Sequence, residues 1–156
     1  MRKARRSHRG PGDSVRAEPE VRPFDESAAA WLIGEGVRYL NSADKEGELA
    51  YRRVTELLKD RNDTVEILTT ILRQAGGGDA PLRWNLFYLL GDVGDAGAAD
   101  LLAEASLEAL PDESSEDACE GPRDQELLVR TMAVHALGRV AGRHPEAGEQ
   151  LLRIIG

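Results

Sequence analysis

A chain of 156 residues that is 41% hydrophobic, 31% charged and only 4% aromatic has the profile of one globular domain with a sizeable core. Its apolar content is mostly Leu, Ala, Val and Ile. That argues against a chain disordered throughout and favours helix packing over a β-sandwich, which needs more β-branched and aromatic positions. The net charge of −8 divides into +5 over residues 1–16 and −13 over the rest. An acidic body repels phosphate backbones, which argues against nucleic acid as a general partner.

Residues 1–24 combine the basic run with Gly10, Pro11, Gly12, Pro19 and Pro23 and almost no apolar side chains. Such a segment buries too little surface to offset its ordering entropy, so a disordered basic tail is predicted. It is read as a solvated arm before a nucleic-acid or acidic-membrane contact. The basic start is not followed by an apolar run, which argues against a signal peptide. The longest apolar stretch, Ala28 to Ile33, is too short to span a bilayer. The single cysteine, Cys119, allows no internal disulfide. These features predict a cytoplasmic protein with no membrane span.

Helical periodicity starts after Asp25, so residues 25–156 are expected to form the folded domain. A first helix carries Ile33, Val37 and Leu40, with Trp31 and Leu32 beside them; Gly34 and Gly36 weaken it by about 1 kcal/mol each. A second runs from about Glu46 to Asp60 with Ala50, Val54, Leu57 and Leu58 inward. A third begins at Asp63, with Glu66 placed for a capping box, and carries Thr64, Leu68, Ile71, Leu72 and Ala75 up to Gly76-Gly77-Gly78. Asp79 and Pro81 open a fourth helix whose face is Leu82, Leu86, Leu89, Leu90 and Val93, closed by Gly94. Asp95 caps a fifth, with Ala98, Leu101, Leu102 and Ala105 inward up to Pro111. Residues 111–124 read as an acidic surface loop, without the spacing of a calcium site. A sixth helix carries Val129, Ala133, Ala136, Leu137 and Val140. A seventh follows Pro145, with Ala147, Leu151, Leu152 and Ile155 inward.

The fourth and sixth helices repeat each other. Leu82-Arg83, Leu86, Leu89-Leu90-Gly91 and Val93 match Val129-Arg130, Ala133, Ala136-Leu137-Gly138 and Val140, every pair offset by 47. Leu101-Leu102 then aligns with Leu151-Leu152 after a three-residue insertion near His144. A weaker copy covers residues 46–78 and lacks the Leu-Gly step. With Pro81-Leu82-Arg83, Leu90-Gly91 and Val93-Gly94-Asp95, this pattern resembles the HEAT-repeat family, in particular the bacterial HEAT-like repeats of the phycobilisome-lyase type. The later copy departs at the turn, where Ala141-Gly142 replace Gly-Asp. The resemblance implies an all-α fold: a short α-solenoid of about seven helices in HEAT-like antiparallel pairs. It also implies that Arg83, Arg130 and Asp95 link neighbouring repeats.

At 100° per residue, Trp84 and Tyr88 point away from the core face of the fourth helix, with Phe87 on its flank. These three aromatics are the candidate partner-binding residues. Packing against an adjacent repeat is the competing reading, since solenoid helices bury two faces. No catalytic, metal or cofactor residues are nominated: His135 and His144 are nine apart, and no HExxH, GxSxG or phosphate-loop pattern occurs. The expected function is a non-catalytic protein–protein interaction module, a HEAT-like scaffold or adaptor. Two rivals follow from the resemblance, a chromophore-lyase-like subunit and a nucleic-acid-binding HEAT-like protein. The chain ends on Leu151-Leu152-Arg153-Ile154-Ile155-Gly156 without a polar capping helix, so either Ile154 faces solvent alone or this end meets another partner or a second subunit, as a homo-oligomer through the C-terminal helix.

Overall fold

The computed structural model describes residues 26–112 and 121–156; the basic tail, Cys119 and most of the acidic loop (Glu113, Glu116, Asp117, Glu120) lie outside the described residues. The described residues form seven α-helices and no strand: α1 (Glu26–Leu40), α2 (Lys45–Lys59), α3 (Thr64–Ala75), α4 (Ala80–Val93), α5 (Ala99–Leu107), α6 (Pro122–Arg143) and α7 (Gly148–Ile155). Short 3₁₀ turns precede α4, α5 and α7.

Local chemistry sets the helix starts. Asp44 accepts a hydrogen bond from the Gly47 amide at 2.6 Å, and Asp79 accepts one from Leu82 at 3.0 Å, each satisfying a first-turn amide that has no intrahelical partner. Asp95 accepts from Gly97 and caps the 3₁₀ turn Ala96–Ala98 that leads into α5. The capping box expected at Asp63 does not form. Its carboxylate instead takes two hydrogen bonds from Arg61, at 2.9 and 2.7 Å, which hold its pKa below the ordinary value. The start of α3 is fastened by Thr64, whose buried hydroxyl donates to the Leu58 carbonyl at 2.6 Å.

α4 is the hub. It packs against α1, α2, α3 and α6, so Arg83, Asn85, Leu86, Phe87, Leu89, Leu90, Gly91 and Val93 are all buried on one 14-residue helix. α6 lies parallel to α4: Arg83 meets Glu126 near their beginnings and Asp92 meets Arg139 near their ends. α6 also packs on α5 and α7, and α5 on α7. The stripe predicted for α6 (Val129, Ala133, Ala136, Leu137, Val140) is buried as expected. Gly36 of α1 sits where a Cβ would press on Leu89 at 3.3 Å and Val54 at 3.5 Å, so the glycine there accommodates the crossing helices.

Several expected positions differ. Leu57 is 49% exposed, because the buried side of α2 centres on Val54, Thr55 and Leu58. α5 stops at Leu107 instead of continuing to Pro111, and α6 begins at Pro122, inside the stretch read as loop. On α7 the inward residues are Ala147, Leu151 and Ile154, whereas Leu152 and Ile155 face solvent at 70% and 72% exposure. The 3₁₀ turn Pro145–Ala147 corresponds to Ala96–Ala98 before α5, and from its buried Ala147 the spacing 147, 151, 154 defines the buried side.

Candidate interaction surface

The seam between α4 and α6 is built from pairs that bridge the two copies of the repeat. Arg83 donates to both oxygens of Glu126, at 2.6 and 3.1 Å, and both side chains are buried. One turn from the other end, Arg139 donates to Asp92 at 2.8 Å and to the Tyr88 carbonyl at 2.8 Å, with its guanidinium 4.3 Å over the Tyr88 ring. The Tyr51 hydroxyl donates to the other Asp92 oxygen at 2.7 Å, drawing α2 into the same network. Burial, then the hydrogen bond to Asp92, pushes the Tyr51 phenol far above its ordinary pKa. Arg143 donates to the carbonyls of Gly91 and Gly94, at 2.7 and 3.1 Å, satisfying acceptors at the end of α4.

Gly91 explains the Leu-Gly step of the repeat. A Cβ there would lie 2.9 Å from Ala136 Cα and 2.8 Å from Arg139 Nε, so only a glycine lets α6 approach this closely.

Two of the three candidate aromatics, Trp84 and Tyr88, belong to this seam. Trp84 stacks on Tyr88 at 5.6 Å and 23°, Tyr88 meets Tyr51 at 6.2 Å, and both Trp84 and Tyr88 are half-buried. Trp84 also borders a small apolar pocket with Pro81, Leu128 and Val129. Phe87 is a correction. It is 3% exposed, because α4 is enclosed on most sides, and it floors a groove of about 610 Å³ between α3 and α5. Trp84 and Tyr88 therefore join α2, α4 and α6, and no three-residue exposed patch exists at this position. Arg83 and Asp95 do structural work within the fold, as described, while Arg130 has a buried Nε with no hydrogen-bond partner.

Exposed apolar surface lies elsewhere. Four of the eight large hydrophobic residues exposed among the described residues are on α6 and α7: Leu127, Leu128, Leu152 and Ile155. On α6, Leu127 shares the outer side with Thr131 and His135, both exposed, while Leu128 borders the pocket beside Trp84 of α4. The repeat gives this face a measure. Leu151 takes the place of buried Leu102, as Ala147 takes that of Ala98, and Leu152 beside it is 70% exposed. Gly138 matches Gly91, yet a Cβ at Gly138 would meet nothing within 4 Å. The Gly91 position receives α6 in the first copy, and its match in the second is open.

Among the described residues no group of three or more His, Cys, Asp or Glu could hold a metal ion, and no helix is long and apolar enough to cross a membrane. Comparison of the chain with protein-family models, with curated proteins and with solved structures gave no match.

The sequence reading missed the outer face of α7 and the bridging arginines Arg139 and Arg143. A signal for Arg139 was present, since it matches Asp92 at the same offset of 47 that relates Gly138 to Gly91.

Proposed function

We propose that this protein is a non-catalytic protein–protein interaction module, a HEAT-like scaffold or adaptor acting in the cytoplasm, and that its working surface is the outer side of α6 and α7. The observation that carries this reading is the contrast between matched positions. Gly91 is covered by α6, whereas its match Gly138 is open, and Leu127, Leu152 and Ile155 stand exposed on the same two helices. Repeat units bury their apolar faces against neighbours, so an uncovered apolar face of the same design is suited to receiving another helical element. The HEAT-like reading is supported by the offset of 47 and by the parallel packing of α4 and α6.

The aromatic cluster contributes by fixing the relation of α2, α4 and α6, and so the shape of the stack. The test is affinity capture from native lysate at high salt, comparing wild type with the Leu127→Glu/Leu152→Glu double variant. A stoichiometric protein held by wild type and lost by the variant supports the reading. Equal capture by both moves the surface elsewhere, and capture by neither removes the module's main support.

A further inference from the structure

A second surface, sharing no residue with the α6–α7 face, is the groove of about 610 Å³ between α3 and α5. Leu72, Leu101 and Ala105 join Phe87 in an apolar floor, and the α5 wall adds the exposed carboxylates of Glu104 and Glu108. The Glu108 side chain is 62% exposed and reaches Arg83 only at 3.6 Å, while Glu126 takes that guanidinium with two shorter bonds. The lining's other cation is Arg73, on the α3 wall. Beyond the groove the same sign continues. Asp100, Glu104 and Glu108 lie one helical turn apart along α5, all exposed, and residues 95–112 hold five acids without a Lys or Arg.

We propose that this groove is the docking site for the chain's own basic segment, residues 1–16. An apolar floor beside a carboxylate wall selects arginine: the aliphatic stem lies along the floor while the guanidinium takes a carboxylate through two parallel hydrogen bonds. An acidic or neutral segment lacks that second contact. Residues 1–16 supply Arg2, Lys3, Arg5, Arg6, Arg9 and Arg16 against the single acid Asp13, and Val15 beside Arg16 adds an apolar side chain. Distance permits the contact. Arg9 stands 17 residues before Glu26, where α1 begins, an extended reach of about 55 Å against a radius of gyration of about 14 Å for a folded body of this size. Joined to the body, the segment meets the groove at an effective concentration on the order of millimolar, which favours it over a basic segment of another molecule. A basic partner must then displace residues 1–16 to enter.

A photo-crosslinking amino acid in place of Leu107, which lines the groove and is 59% exposed, tests this in the purified full chain. Irradiation should join position 107 to residues 1–16 of the same chain, in a product of monomer mass whose yield does not change on dilution. The yield should fall as salt is raised from about 0.1 to about 1 M, which shortens the screening length from about 10 to about 3 Å. Glu104→Lys/Glu108→Lys should abolish the product and leave the circular dichroism unchanged, both side chains being exposed. Arg5→Glu/Arg6→Glu/Arg9→Glu, which leaves residues 26–156 unaltered, should abolish it as well. No adduct to residues 1–16 overturns the proposal, as does an adduct that survives both variants. An adduct that joins two chains and fades on dilution also overturns it, by making another molecule the occupant.

Discussion

Asp92 and Arg139 stand 47 residues apart, at matched positions of the two copies, and they are joined to each other across the seam at 2.8 Å. A repeat normally places the same residue at the same position; here one copy carries the acid and the other the base, so the repeat position becomes the link. Tyr51 shares the acid from α2 and Tyr88 lies under the base, which makes Asp92 the point where three helices are held. Asp92→Ala should therefore cost about 1–3 kcal/mol, by leaving partly buried donors without an acceptor. Urea unfolding of Asp92→Ala, Arg139→Ala and the double variant should show strong coupling between the two sites. Additive losses would mean that the pair contributes little.

Gly91 and Gly138 should respond oppositely to the same substitution. Gly138→Ala replaces an unconstrained helical glycine and should stabilise by about 1 kcal/mol. Gly91→Ala drives a methyl into Ala136 and Arg139 and should destabilise by about 1–3 kcal/mol. Denaturation midpoints of the two variants check this directly, and equal shifts would contradict the crossing geometry.

Arg83 and Glu126 form a buried pair, and breaking it should be far more damaging than replacing it. Glu126→Ala leaves the buried guanidinium with only the more distant Glu108, at 3.6 Å, and should cost about 3 kcal/mol, whereas Arg83→Met/Glu126→Leu should lie near wild type. Thermal unfolding of both variants separates these outcomes.

Tyr51 gives a pH dependence of known sign. Its folded pKa is raised, so its contribution is fully present below the ordinary phenol value of about 10 and is lost as pH rises above it. Stability should fall with pH in that alkaline range, and Tyr51→Phe should flatten the slope by one proton. Chemical denaturation across the range, with phenolate absorbance followed in parallel, measures this.

Much of the helical layout was legible because its signals are local. The caps at Asp79 and Asp95, and the apolar stripes of α4 and α6, follow from side-chain chemistry and the 3.6-residue period. At Gly91 the Leu-Gly step marks the close approach of α6, whereas at Gly138 it meets nothing. Phe87 was misplaced because a helix enclosed by four neighbours has no single core face, and periodicity assumes one. Leu152 and Ile155 were misplaced because alignment of Leu101-Leu102 with Leu151-Leu152 is one residue out of step with the buried Ala98 and Ala147 that end the two 3₁₀ turns. Asp63 was read as a cap from sequence spacing, whereas the nearby Arg61 takes its carboxylate.

The central claim is that the outer side of α6 and α7 meets a macromolecular partner. His135 lies on that side, exposed, and matches the half-buried Tyr88 of the first copy. A photo-crosslinking amino acid at position 135 in the full chain, activated in native lysate, should give one dominant protein adduct. A control at exposed Glu104 on α5 should give none of it. No adduct from position 135, or the same adduct from both positions, would contradict the account.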